Sequence, residues 1–291
     1  MKKTLAKSIS ILFLLIISFN GFAQSVDDII EKHIKAHGGE KALNKIKSIE
    51  LSGTYTSFST SGKFKTIKLH SGEYYSEFDL GQHYVYEGND GKLAWTIDPW
   101  QDILFPRRIN KSEKNVFDQK AELITPFYKY KNKGHKVELK GKEDLDGTEV
   151  YVLHLIRNNG FTETWYLDAK TYLEVKYTSQ WIDFAYPIQA DTYFDDFRKV
   201  EGIIIPYYIE REFRNRNRFT EITNLVINGK YNEDIFRMPV VEEFEKLSFM
   251  KGKWWAVAES MTRRGTWYKT DSIKTEVKYA DRNMLHTTLD Y

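Results

Sequence analysis

Between Val26 and His37 the apolar residues Val26, Ile29, Ile30 and Ile34 recur near helical spacing, with Asp27 and Asp28 in the first turn. Gly38-Gly39 supplies the stop, so a helix is predicted there. Glu40 to Ile46 adds a second short one. From Lys47 the period changes to two. Ile49, Leu51, Gly53 and Tyr55 fall on one face, and Ser48, Glu50, Ser52 and Thr54 on the other. Turn signals at Ser61-Gly62, Ser71-Gly72, Gly81-Gln82 and Asn89-Asp90-Gly91 bracket strands near 63–70, 73–79, 83–88 and 92–98. Leu93, Trp95 and Ile97 alternate cleanly.

Asp98-Pro99 ends this β pattern. Asn110 to Tyr130 is lysine-rich and carries Val116, Phe117, Ala121, Leu123 and Ile124, which predicts a helix ended or interrupted at Pro126. Insertions this long within a meander are usually either functional covers or disordered. Strands resume near 135–141, turn at Asp144-Leu145-Asp146-Gly147, and continue through 148–157 and 161–167. Leu173, Val175, Tyr177 and Trp181 share a face of the next strand, and 188–197, 202–214 and 217–228 complete the set. Ten or more sequential antiparallel strands curl into a barrel or half-barrel, because twist forbids a large flat sheet.

Charge enters through the N-terminus. Lys2, Lys3 and Lys7 precede an apolar run from Ile9 to Phe19, and Gly21-Phe22-Ala23 follows. That order is a secretory signal peptide over residues 1–23, with cleavage expected after Ala23. The apolar run is shorter than the roughly 20 residues that cross a bilayer. Removing its lysines takes the formal charge from +2 to −1, which leaves no basic excess for nucleic acid. Cysteine is absent, so a core of ordinary size must stabilise the exported chain, and lipid attachment through an N-terminal cysteine is excluded. The expected location is the periplasm.

Chemistry is sparse. Asp195 to Pro239 reads as strand, Glu201-Gly202 turn, strand, polar turn, strand and capped exit, without a nucleophile–base pair or phosphate loop. His33 and His37 stand at i and i+4, yet Ile34 occupies the position where a zinc peptidase needs glutamate, and no third ligand is near in sequence. They read as solvated or packing histidines, and no metal or cofactor is expected. Asp195 and Asp196 are adjacent on a strand, so they point to opposite faces and cannot flank one bond. Asp79 gives them no partner that changes this. Arg211, Arg214, Arg216 and Arg218 invite a phosphate or headgroup, but Glu210, Glu212 and Glu221 beside them favour a charge-balanced hairpin end. No catalytic residues are assigned, and the chain is expected not to be an enzyme.

The order of elements resembles the LolA-like periplasmic lipoprotein-carrier family and its outer-membrane lipoprotein-sorting relatives. The likeness rests on Asp90-Gly91 before Leu93 and Trp95; on Asp146-Gly147 to Leu155 followed by Trp165-Tyr166-Leu167-Asp168; and on Phe194 to Pro206 with Asn228 to Pro239. It covers about residues 26–240. It implies a mainly β (α+β) fold, an unclosed antiparallel β-barrel around a helix, with 99–130 as helical lid and a cavity for acyl chains. Such carriers latch the lid with an arginine on an early strand. Here the first arginine is Arg107, so no residue from 47 to 98 is expected to take that role.

The half-barrel domain is placed at 24–240. After it, Phe244 to Met250 reads as a helical lead-in, Gly252-Lys253-Trp254-Trp255 opens a strand to Met261, and Trp267 to Tyr279 continues beyond Arg263-Arg264-Gly265. This resembles the start of a lipocalin-like domain of unknown function. Residues 241–291 are too few to close a barrel of about eight strands, so a partial, poorly packed segment is expected, with the chain stopping in mid-domain.

The ligand-binding candidates are the aromatics Tyr84, Tyr86, Trp95, Trp165, Tyr177, Trp181 and Tyr193 on strands and Phe117 and Phe127 on the lid. Aromatics also fill cores, and strand parity does not say which face is interior. The expected function is a non-enzymatic carrier holding an acyl chain or lipidated protein. The alternative is an envelope sensor or scaffold that binds a partner protein with the same fold.

Overall fold

The computed structural model describes residues 24–290 apart from 58, 82, 184–185, 215 and 282–283. The signal-peptide reading of 1–23 lies outside the described residues. Helix α1 spans Val26–Ala36, started by a capping box in which Ser25 and Asp28 each satisfy the other's backbone N–H. A one-turn helix α2 follows at Glu40–Leu43. The strands are β1 (Ser48–Ser57), β2 (Thr60–Leu69), β3 (Tyr74–Asp79), β4 (Tyr84–Asn89), β5 (Ala94–Asp98) and β6 (Ile103–Arg108). After helix α3 (Lys111–Lys120) come β7 (Lys136–Leu145), β8 (Thr148–Ile156), β9 (Thr162–Asp168), β10 (Glu174–Asp183), β11 (Tyr186–Val200), β12 (Ile203–Phe213) and β13 (Arg216–Ile227).

These strands form one antiparallel sheet in the order β6-β5-β4-β3-β2-β1-β13-β12-β11-β10-β9-β8-β7. Every connection is to a sequence neighbour except β1 to β13, which joins the two halves. Among the described residues β6 and β7 do not pair, so the sheet is the unclosed barrel that the motif resemblance implies.

The sheet curls around the two N-terminal helices. Ile29 and Ile30 of α1 meet Leu153, Leu155, Trp165, Leu167 and Tyr177 of β8–β10. Leu43 and Ile46, in and after α2, meet Ile49, Phe64, Ile203, Ile205 and Ile222 of the other half. Each such side chain contributes roughly 1.5–3 kcal/mol by leaving water, so the helices hold the halves together by burial.

Three expectations are corrected. The β pattern does not stop at Asp98-Pro99: after a 3-10 turn at Pro99–Gln101, β6 pairs with β5. Pro106 is tolerated because β6 is an edge strand, where a missing N–H costs no ladder bond. The lid therefore begins at α3, which ends at Lys120 rather than at Pro126. Ser61-Gly62 also lies inside β2, and the reversal comes before it. Gly62 is needed for close approach, since a Cβ there would sit 1.5 Å from the Asp79 carbonyl oxygen.

Beyond β13 the chain makes a 3-10 turn at Glu233–Phe236, then a one-turn helix α4 (Glu242–Glu245). Strands β14 (Gly252–Met261), β15 (Trp267–Asp281) and β16 (Met284–Asp290) form a separate antiparallel sheet. Trp254, Trp255, Trp267 and Tyr268 of that sheet are exposed.

Candidate functional site: a cavity under the lid helix

A cavity of about 280 Å³ lies between the concave face of the sheet and α3. Strand alternation decides its wall. Phe64, Thr66 and Lys68 of β2 face it, as do Val85 and Glu87 of β4 and Thr96 and Asp98 of β5. Across the cavity stand Tyr177 and Trp181 of β10, Thr192 and Phe194 of β11, Ile209 and Arg211 of β12, and Arg218, Thr220 and Ile222 of β13. The wall is thus amphipathic rather than uniformly apolar.

Of the aromatic candidates, Phe117, Trp165, Tyr177 and Trp181 line this cavity. Phe127 is buried beneath it, edge-on to Trp165 at 5.4 Å and to His33 at 5.3 Å. The other four stand off the wall, because their strands present the opposite parity. Val85 and Glu87 take the inward positions, leaving Tyr84 and Tyr86 to stack on each other outside at 6.0 Å. Thr192 and Phe194 likewise leave Tyr193 outside, where Lys176 lies over its ring. Trp95 is buried, but against Gly88 and the segment after β13; its Nε1–H donates to the Phe236 carbonyl at 2.9 Å.

Helix α3 is fixed at both ends. Asn110 caps it, and Glu113 closes the capping box while accepting a bidentate pair from Arg107 at 2.8 and 2.9 Å. At its C-terminal end Lys120 reaches both Glu87 oxygens at 2.7 Å and lies 4.7 Å from the Trp181 ring centroid. Lys68 of β2 donates to the Glu122 carbonyl at 2.9 Å. An early strand therefore does hold the lid, through lysine where the resemblance led to an expectation of arginine.

Burial is the main cause that lowers Lys120; Glu87 opposes it, and the Arg211 and Arg218 charges add to it. Lys68 is half-buried, and burial pulls its ammonium down to about 8, with Glu122 opposing and Arg211 assisting. Burial pushes the Glu122 carboxyl up, but Lys133 and Arg157 outweigh it and hold it below its ordinary value. Those ion pairs are 2.8 and 3.0 Å long. Glu122, Ile124 and Arg157 also line a second cavity of about 550 Å³ beside Leu43, Leu69, Tyr128, Lys129 and Lys133. The lid segment after α3 is the partition between the two.

A second cluster sits in the core. His33, His37 and Glu174 place their ligand atoms within 4.8 Å of one another, all buried. The third partner that sequence proximity could not supply comes from the start of β10. His33 Nδ1 donates to the Tyr172 carbonyl and His37 Nδ1 to the Ile204 carbonyl, each at 2.7 Å. His33 Nε2 accepts from Thr125 Oγ1 at 2.9 Å, and His37 Nε2 meets Glu174 Oε2 at 2.8 Å. Burial depresses His33 to about 4, so it is neutral. Burial opposes protonation of His37 too, but Glu174 wins and raises it, while His37 holds Glu174 below its ordinary range. The donor types suit a divalent ion. His37 Nε2 and Glu174 Oε2 stand at hydrogen-bond distance in this structure. The cluster ties α1 to the residues before β10, to β12 and to the lid.

No family model matches the chain, and no curated protein matches it in sequence. Solved structures similar to it include a DUF1329 family protein from Desulfovibrio piger (14% identity, TM-score 0.49), covering 73% of this chain and 97% of that one. A LolA superfamily protein from Nitrosomonas europaea (11%, 0.49) covers 74% and 98%. A putative outer membrane lipoprotein-sorting protein domain from Vibrio parahaemolyticus (13%, 0.47) covers 72% and 94%.

Proposed function

We propose that this chain is a non-enzymatic binding protein of the cell envelope that holds an amphiphile, an acyl chain or a lipidated protein, under α3. The observation that carries this reading is the cavity itself. One sector, with Leu51, Tyr55, Phe64, Phe78, Ile209 and Ile222, is apolar and open to a chain. Its volume is just below the roughly 300–1,000 Å³ typical of ligand sites. Each methylene transferred into such a wall gains about 0.8 kcal/mol, so a short run of chain suffices for retention. The leader-like residues 1–23 support an envelope location, and the motif resemblance over residues 26–240 supports a carrier.

Native mass spectrometry of the protein purified from its own envelope tests this. A co-purifying lipid that is lost in Trp181→Asp is the expected result. Ligand-free protein that also fails to take up added lipid overturns it. A second reading, a scaffold for a partner protein, is favoured by the exposed Trp254, Trp255 and Trp267 of the second sheet; co-purification of a protein without lipid would support that instead.

A further inference from the structure

We infer that Arg211, Lys68 and the Trp181 indole N–H form a subsite for the acidic head, a carboxylate or phosphate, of the amphiphile. This rests on the binding reading above and names the chemistry of its ligand.

Arg211 and Arg218 are register partners on β12 and β13, and both face the cavity. Like charges directly opposite each other in a sheet are destabilising, and the carboxyl of Asp98 on the same wall feels Arg218 but not Arg211. The polar contacts of Arg211 are neutral: Nε to Thr192 Oγ1 at 3.1 Å and Nη2 to Tyr177 Oη at 3.2 Å. Its guanidinium lies 3.8 Å from the Trp181 ring centroid, which holds the fork in place without discharging it. Lys68 spends its contact on the Glu122 carbonyl, again without a carboxylate hydrogen-bonded to it among the described residues. Trp181 Nε1–H is buried and unbonded on the same wall. The nearby acids are already engaged: Glu87 by Lys120 and Tyr74, Glu113 by Arg107, Glu122 by Lys133 and Arg157, and Asp98 by Gln101, the Trp100 N–H and the charge of Arg218.

An anion seated here gains charge-assisted hydrogen bonds in a low-dielectric wall, and its chain continues along Phe64, Phe78 and Ile209. It also relieves the mutual repulsion of the cations. A neutral head gains neither.

The delipidated full chain is titrated with palmitate, 1-palmitoyl lysophosphatidic acid and neutral 1-monopalmitoylglycerol, below their micellar concentrations. At least one acidic probe binds ten- to a hundred-fold tighter than the neutral one, the factor expected of charged hydrogen bonds. Which acid gains more distinguishes carboxylate from phosphate. Arg211→Gln and Lys68→Met shrink that gap to within about three-fold, while Arg211→Lys, which keeps the charge, preserves part of it and guards against a folding artefact. Equal binding of all three probes, or an acid preference untouched by both variants, overturns the subsite and leaves the carrier reading standing. Failure of all three to bind overturns both.

Discussion

Arg211 on β12 stands directly across from Arg218 on β13, both on the concave face of the sheet. Removing one charge, as in Arg218→Met, is expected to raise the stability of the ligand-free protein by about 0.5 kcal/mol, the scale of a cross-strand charge pair, less what the guanidinium contributes over the Phe213 ring and beside Asp98. Chemical denaturation of the delipidated variant measures it. A loss of more than about 1 kcal/mol would mean that other contacts of Arg218 outweigh the repulsion.

The lid latch is testable through Lys68. Lys68→Met removes the hydrogen bond to the Glu122 carbonyl, worth about 1 kcal/mol net. Amide exchange in residues 120–124 should then speed up roughly five-fold in the ligand-free protein, with strands β8 and β9 unchanged. Equal exchange in both proteins would show that Lys120–Glu87 holds the lid alone.

The histidine cluster sets a pH dependence. The folded pKa of His33 is depressed to about 4 from 6.5, so its contribution is present above 6.5 and is lost as pH falls toward 4. The loss amounts to about 3 kcal/mol at full effect. His37 has the opposite sign: raised when folded, it stabilises below 6.5 and loses this as pH climbs through its folded value. Glu174, depressed, stabilises above about 4.5 and loses this in acid. Unfolding free energies from pH 4 to 8 should show His33→Asn less acid-sensitive than the parent. Parallel curves would refute a neutral buried His33.

Much of this architecture is legible in the sequence because alternation and turn chemistry are local. The helix ending at Gly38-Gly39 and most strand limits follow from period and punctuation. The cavity wall is not legible, because alternation groups Tyr84 with Tyr86 and Val85 with Glu87 without saying which pair faces inward. The sheet's curl decides that, through a pairing of β1 with β13 that spans most of the domain. The arginines show the same limit. Glu210 and Glu212 flank Arg211 in sequence and so take the opposite face, while Arg211 and Arg218 line the cavity. Glu174 is 137 residues from His37, beyond any spacing rule.

Trp95 separates fold from site. It is buried off the cavity wall, packed on Gly88 and bonded to the Phe236 carbonyl, so it anchors the segment leaving β13 onto the early strands. Trp95→Phe keeps most of the apolar area but leaves that carbonyl unsatisfied, a cost of about 1–3 kcal/mol. Limited proteolysis should cut the variant faster around residues 232–239, where the anchor is lost. Lipid retention should remain, because Thr96, not Trp95, faces the cavity. Trp181→Leu should do the reverse: it removes the ring beneath Arg211 and weakens retention of an acidic amphiphile, while residues 232–239 stay protected. If Trp95→Phe instead empties the cavity of lipid with residues 232–239 still protected, the parity that defines the cavity wall is wrong.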